Sequence, residues 1–257
     1  MRSNFVKAKL KNGEPAIGLW HNLPGLNNAR LLAYVGFDWV VVDFEHAPQN
    51  PALLTETVAA IAGAGVSAPL VRLPFNSVEW FKWSLDAGAW GVIVPMVETR
   101  QEAEQAVSWS KYPPLGTRSF GGSMACLSFS TTDRQEYLTK ANDEILVALQ
   151  IESAKGLANV EEILSVPGVD VAFVGPNDLH GSLGLPPSNE GAEPEFVAAL
   201  EKIKAAARKY NVALGMFCSN GDTAAQRIRE GFQMVNATSD ASSLLTAATQ
   251  NLQKARG

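Results

Sequence analysis

Two acids stand where this chain could do chemistry. The apolar run Ile145 to Ile151 ends in Glu152, and the run Val169 to Val174 breaks at Gly175-Pro176, followed at once by Asp178 and what reads as a first helical turn. A carboxylate where a strand ends and a helix begins occupies the position that α/β proteins use for catalysis. If the two runs are neighbouring parallel strands, the acids lie about 4.8 Å apart, and like charges held that close are costly unless a cation lies between them. Glu152 and Asp178 are therefore expected to bind a metal. Asp178 alone could be an acid favoured by the helix dipole; Glu152 beside it favours the metal. Carboxylate-only ligation suits a hard divalent ion, Mg²⁺ or Mn²⁺ with Co²⁺ also admissible, which keeps waters for a substrate to displace. Zinc fits less well, because no histidine or cysteine pair accompanies the acids.

The segment DFEHAP, Asp43 to Pro48, puts an acid three residues before a histidine at a strand-to-loop turn. Asp43 is expected to hydrogen-bond the imidazole, fix its tautomer and raise its basicity, which makes His46 the proton-transfer candidate. Arg72 ends a strand in VRLP. Such an arginine can be a mere ion-pair partner, but at a mouth holding a metal it is expected to hold an anionic oxygen. Trp20 and Trp39 both suit core packing, and only Trp20 is expected to face substrate. His180, two residues beyond Asp178, is expected to face solvent. Cys126 and Cys218 have neither metal-ligand spacing nor the even cluster of a secreted scaffold, and are read as packing residues.

These residues need a frame that gathers strand ends. Apolar runs alternate with amphipathic stretches, the pattern of repeated βα units. Eight strands are expected: Ala16–Trp20, Trp39–Asp43, Ala68–Arg72, Gly91–Pro95, Ile145–Ile151, Val169–Val174, Val212–Met216 and Gln233–Asn236. Eight helices are expected between them; Asn50 before Pro51 and Gly63 and Gly65 at the far end bound the second one. Most strands are apolar on consecutive residues, as parallel strands covered on both faces must be. Eight units favour a closed (β/α)8 TIM barrel, one domain over residues 1–257. Its strand ends gather Trp20 with His21, Asp43 with Glu45 and His46, Arg72, Pro95 with Met96, Glu152, Asp178 and Phe217. Only Tyr112 to Asn142, rich in Pro, Gly, Ser and Thr, breaks the rhythm and reads as a long loop serving a site or an interface.

Composition narrows the function. The 257 residues are 46% hydrophobic with a net charge of −5 spread without long runs, so no basic patch invites nucleic acid or an anionic membrane. No signal peptide or membrane span is expected, which points to a cytoplasmic protein acting on small molecules.

The segments GLW-H at Gly18–His21, DWVVVDFEHAP at Asp38–Pro48, VRLP, LDAGAWGVIVPMVET at Leu85–Thr99, KYPPLGTRSFG at Lys111–Gly121, QIES at Gln150–Ser153 and VGPNDLHGSLG together resemble the HpcH/HpaI-type family. These are class II, metal-dependent pyruvate aldolases with a barrel of the phosphoenolpyruvate/pyruvate type. They include 4-hydroxy-2-oxoheptanedioate and 2-keto-3-deoxy-sugar-acid aldolases. The resemblance spans nearly the whole chain; it is specific for the family and says little about substrate. It implies that Glu152 and Asp178 hold the metal, that His46 assists proton transfer with Asp43 as partner, and that Arg72 stabilises an enolate. It further implies that Trp20 faces the aldehyde, that Gln150 supports the ligand shell, and that the amides of Gly175, Pro176, Asn177 and Asp178 hold the pyruvate carboxylate, proline itself having no N–H. Asp86 matches an aspartate that relatives contribute across a subunit interface, although a helix-end acid explains it equally; a homo-oligomer, hexameric in relatives, follows from the resemblance.

Two departures touch the acceptor. Ser119 stands where relatives tend to carry glycine, and Ala125-Cys126 stands for an Ala-Arg pair; the resemblance places this loop near the aldehyde pocket. The chemistry implied is removal of a methyl proton from pyruvate and addition of the enolate to an aldehyde, or the reverse. Oxaloacetate decarboxylation yields the same enolate, so an oxaloacetate decarboxylase or synthase of this fold is an alternative. A citramalyl- or malyl-type CoA-ester lyase would need a CoA-binding region for which the chain is short, and an inactive scaffold would not keep the acids, histidine and arginine. A Schiff-base aldolase needs a desolvated strand lysine. No expected strand has one, since Lys155 falls at a helix start and Lys82 within a helix.

Overall fold

In the computed structural model, which describes residues 1–257, eight parallel strands close on themselves in chain order, the last pairing with the first. They are β1 (Ala16–His21), β2 (Trp39–Asp43), β3 (Ala68–Arg72), β4 (Gly91–Val94), β5 (Leu146–Ile151), β6 (Val171–Val174), β7 (Ala213–Met216) and β8 (Met234–Ser239). β2 and β6 are buried at every residue, as strands lined by side chains within and helices without must be. Where Gly18 faces Trp39 across the register of β1 and β2, size decides identity: a Cβ on Gly18 would lie 2.0 Å from the Trp39 indole, so only glycine leaves room for it.

Thirteen α-helices surround the barrel, where eight were expected. α1 (Phe5–Lys11) crosses its amino-terminal end, and α2 (Leu26–Ala33), α3 (Leu54–Ala64) and α4 (Val78–Asp86) follow the first three strands. The next three crossovers each hold more than one helix: α5 (Arg100–Ser110), α6 (Ala125–Ser128) and α7 (Arg134–Glu144); α8 (Ala154–Ala158) and α9 (Val160–Leu164); α10 (Pro176–Ser182) and α11 (Pro194–Tyr210). The stretch expected as a long loop thus contains α6 and much of α7. α12 (Gly221–Arg229) and α13 (Asp240–Arg256) complete the chain. Asn50 caps a 3₁₀ turn, Pro51–Leu53, that leads into α3, and Gly65 ends α3 at φ +82°, a conformation that glycine adopts without strain. No helix is long and apolar enough to cross a membrane.

The bases of β5 and β6 are pinned by buried lysines. Lys7 and Lys111 both donate to the Ile145 carbonyl, at 2.9 and 2.8 Å. Lys7 also pairs with Asp170 at 2.9 Å, and Asp170 accepts the Val147 N–H. The strands that carry Glu152 and lead to Asp178 are thereby held together at the end remote from both acids. Burial, with the Lys7 charge beside it, pushes the Lys111 amine down to about 7 against the pull of Asp170. Between about pH 7 and about 10.5 the unfolded chain then binds a proton that the folded chain does not, so this group makes stability rise with pH. Urea unfolding should show the wild type gaining on Lys111→Met as pH goes from about 7 to about 9.5; a difference that does not change with pH would show that the amine is not perturbed.

Candidate active site

A parallel barrel delivers the last residue of every strand to one rim. There Trp20, His46, Arg72, Gln150, Glu152, Gly175, Pro176, Asn177 and Asp178, all singled out in the sequence, line a cavity of about 130 Å³ with Phe173, Asn189 and Phe217. Sites for drug-sized ligands run to about 300–1,000 Å³, so this one suits a small molecule.

Asp43 and Arg72 are register partners on β2 and β3. The fully buried carboxylate accepts from Arg72 Nε at 2.9 Å and Nη2 at 2.7 Å, from Asn22 Nδ2 at 2.9 Å, and from the Glu45 and His46 backbone N–H groups. Burial alone would raise its pKa, but the Arg72 hydrogen bonds and charge, with the two amides, hold it below the ordinary value. The expected Asp43–imidazole bond is therefore not made. The turn presents the His46 amide, not its ring, to the acid; the ring is largely exposed, with Glu45 Oε1 3.8 Å from Nε2. Arg72 also reaches Glu45 through Nη1 at 2.9 Å and lies over the Trp20 ring, 5.0 Å from its centroid.

Glu152 is buried just past β5. It accepts from Gln150 Nε2 at 2.6 Å and from the Met96 N–H at 2.8 Å. Met96 sits at φ 51°, a conformation uncommon for a residue with a side chain, and from there its amide reaches the carboxylate. Burial raises Glu152 to about 7; the Met96 bond opposes this, while the Glu45 and Asp178 charges reinforce it. Burial likewise raises Glu45 to about 7, against Arg72 and with Asp43 and Asp178. The region is short of positive charge, since its one guanidinium is already shared by two acids. Glu152 and Asp178 could hold a hard dication in that deficit. No group of three or more His, Cys, Asp or Glu side chains is arranged as a protein-only metal cage, so two carboxylates would leave places for water and substrate.

β5 and β6 are neighbours as expected, and Asp178 is in the first turn of α10. His180 does not face solvent. It is fully buried, with Nδ1 2.7 Å from the Pro176 carbonyl oxygen and its ring stacked on Phe196 at 3.8 Å, because α10 turns Leu179 and His180 inward together. Trp20 is buried with its Nε1 unpartnered, as is Gln150 Oε1.

Asp86 and the loop bearing Ser119 and Cys126 lie elsewhere. A connection from helix to strand returns to the barrel end opposite the strand termini, and no residue of Tyr112–Asn142 lines the cavity. Asp86 ends α4 and accepts from Arg118 Nη2 at 3.4 Å, while Arg118 stacks over Tyr112 at 4.5 Å. The expectation of a pocket-side loop therefore does not hold within one chain. Three contributors carried no assigned role in the sequence: Glu45, which its place in the DFEH turn could have flagged; Asn22, one residue beyond β1; and Asn189, from an irregular connection without any signal.

A model of the family described as HpcH/HpaI aldolase/citrate lyase matches residues 16–247. The chain is 37% identical over 259 aligned positions to a hydroxypyruvate/pyruvate aldolase of Paraburkholderia phytofirmans, covering 99% of this chain and 98% of the relative. It is 38% identical over 245 positions to a 4-hydroxy-2-oxo-heptane-1,7-dioate aldolase of Escherichia coli, covering 95% and 92%. A solved HpcH/HpaI aldolase/citrate lyase family protein from Burkholderia cenocepacia superposes with a TM-score of 0.91 at 36% identity, covering 99% and 100%.

Gly175 tests how tightly the site is built, since an added Cβ would fall 2.0 Å from Glu152 Oε2. Gly175→Ala should leave a folded barrel weakened by about 1–3 kcal/mol, the range for overpacking, and should abolish divalent-ion binding in calorimetry. Wild-type ion affinity in that variant would show that Glu152 does not need its present position.

Proposed function

The chain belongs to the HpcH/HpaI aldolase/citrate lyase family and is a carbon–carbon lyase, and on that premise we propose that it forms or cleaves a 4-hydroxy-2-oxo acid through the enolate of pyruvate. The observation that carries this reading is the meeting of Glu152, Asp178, Arg72, His46 and Trp20 around one small cavity. Glu152 and Asp178 are the residues to hold a divalent cation, Mg²⁺ or Mn²⁺ before Co²⁺; burial, with the Glu45 and Asp178 charges beside it, raises the pKa of Glu152, and such an ion would favour its charged form. When bound, that ion supplies Lewis-acid stabilisation of negative charge on the ketone oxygen.

The chain's own groups do the rest. Arg72, clamped by Asp43 and Glu45, shares the charge that develops on the enolate oxygen. His46 accepts a methyl proton from pyruvate; its ring is free to do so because Asp43 is engaged elsewhere. The enolate carbon then bonds to the aldehyde carbon, whose oxygen takes up a proton and becomes the 4-hydroxyl; cleavage runs these steps backwards. Gln150 orients Glu152. The segment Gly175 to Asp178, where the first amides of α10 have no intrahelical acceptor, receives the pyruvate carboxylate. Trp20 with Phe217, 5.3 Å apart, provides the wall against which the aldehyde stacks. The reading includes a cytoplasmic homo-oligomer, hexameric by resemblance, in which a second copy contributes Asp86. Its support is that Asp86 is far from its own chain's cavity and that α13 exposes Leu244, Leu245 and Leu252.

Glu152→Ala and Asp178→Ala should each lose divalent-ion affinity and activity together, measured by calorimetry and by pyruvate release; wild-type activity in either after chelation and dialysis would remove the metal assignment. His46→Ala should slow pyruvate methyl proton exchange by about 10²- to 10⁴-fold at nearly unchanged Tm and ion binding, whereas gross unfolding would make His46 structural. Borohydride with pyruvate should trap no adduct, because no strand carries a lysine. A reduced pyruvyl group mapped to Lys155 or any other lysine, with lost activity, would overturn the metal-dependent route.

A further inference from the structure

Two buried carboxylates are joined through one residue that no step of the reaction uses. Asn22 gives its side-chain Nδ2 to Asp43 Oδ2 at 2.9 Å and its backbone N–H to Asp240 Oδ1 at 2.9 Å. The two oxygens of Asp43 are not loaded alike. Oδ1 accepts from Arg72 Nε and from the Glu45 and His46 amides, whereas Oδ2 accepts only from Arg72 Nη2, at 2.7 Å, and from Asn22. Asn22 is therefore the one group that fixes Oδ2 independently of the guanidinium. It lies in a loop and is only half-buried, so packing alone does not hold it there. Asp240 does. Asn22 is the only donor to Asp240 Oδ1 from outside α13, the other being the Ala241 amide, while Oδ2 takes the Leu23 amide at 3.0 Å, His21 Nδ1 at 2.8 Å and Asn28 Nδ2 at 2.7 Å. Asp240 is the one buried residue of α13, so the last helix reaches the loop after β1 through this carboxylate.

We propose that Asn22 and Asp240 are positioning residues for the lyase reaction: Asp240 fixes the backbone of Asn22, the Asn22 carboxamide fixes Asp43 Oδ2, and Asp43 aims Arg72 at the enolate oxygen. The assignment rests on the pyruvate aldolase reading, in which Arg72 shares the charge on that oxygen. Neither Asn22 nor Asp240 lines the cavity, and neither makes a hydrogen bond to Glu152 or Asp178. A divalent ion and the pyruvate carboxylate should therefore bind as before when either residue is changed. The charge that Arg72 meets develops only as the proton leaves, so a misdirected guanidinium lowers kcat rather than raising KM.

Pyruvate methyl proton exchange by the Mg²⁺-loaded wild type comes first. Without it the reading falls and the inference with it; with it, the variants decide the inference alone. Asn22→Ala keeps the backbone N–H that Asp240 accepts and removes only the carboxamide. It should lower kcat for exchange by about 10- to 100-fold, the scale of a small misplacement, while KM for pyruvate and Mg²⁺ affinity in calorimetry stay near wild type. The Mg²⁺ stoichiometry in the same titration counts the intact sites, so lost protein does not pass for lost catalysis. Asp240→Asn keeps the side-chain shape, removes the charge and should lower kcat as well. The double variant should be no slower than Asn22→Ala, because one residue acts through the other. Ser239→Ala removes the α13 cap on the Ser242 amide and leaves the Asp240–Asn22 bond; it should lower Tm at unchanged kcat. Wild-type kcat in Asn22→Ala, losses that add in the double variant, a fall in Ser239→Ala as large as in Asp240→Asn, or an altered assembly size of Asp240→Asn in sedimentation would overturn the proposal.

Discussion

The buried pair of Asp43 and Arg72 is the constraint on which the catalytic end of this molecule depends. The two residues are register partners at the ends of adjacent strands, so their alignment is set by the barrel before any loop is placed. An ionised carboxylate has about four lone-pair sites, and Asp43 saturates them with five donors: two from the guanidinium, the Asn22 amide and two backbone N–H groups. Each donor comes from a segment that must then be where it is: Asn22 from the loop after β1, the Glu45 and His46 amides from the turn after β2, Arg72 from β3. Removing one partner of such a pair typically costs about 3–5 kcal/mol, which ties the shape of the rim to the stability of the fold. The loop after β1 is tied again from below, because Asp240, the one buried residue of α13, accepts from the Asn22 and Leu23 amides and lies 2.8 Å from His21 Nδ1.

Charge is what the rim lacks. Two glutamates are lifted to about 7 by burial and by neighbouring carboxylates, Asp178 among them in both cases, and the only guanidinium among them is divided between two acids. An arrangement of this kind binds anionic substrate poorly by itself and binds it well once a dication has joined. On the proposed function, cation and 2-oxo acid would be mutually dependent ligands, and Arg72 alone would not trap carboxylates.

The barrel was legible because parallel strands covered on both faces must be apolar on consecutive residues; β2 and β3 coincide with the expected runs, and the other strands differ only by a few residues at their ends. The helices were less so. Amphipathic stretches after β4, β5 and β6 break into several pieces at points such as Asn159, where composition gives no clear stop. At the site, Glu152, Asp178, His46, Arg72 and Trp20 stood out by type and by strand-end position, whereas Gln150 and Asp86 owed their assigned roles to family resemblance. The Asp43–His46 pairing was misread because nearness in sequence does not say which part of a residue a turn points inward. His180 was misread for a similar reason, and Asn189 could not be read at all, since the path of an irregular connection is decided by packing that no local pattern records.

That connection, from Gly184 to Glu193, separates two kinds of heritable change. The strand ends and the Asp43 knot are joined so closely that substitution there disturbs fold and chemistry together. Asn189 belongs to no strand, donates to no catalytic group and is held to the rim by one amide from Asn177. A substitution at Asn189 therefore leaves the strand ends and the Asp43 knot in place, whereas Gly191, where an added Cβ would fall 2.3 Å from the buried His180 ring, is not free to change. Descendants of this barrel could diverge in the partners they join to pyruvate while inheriting the same enolate machinery.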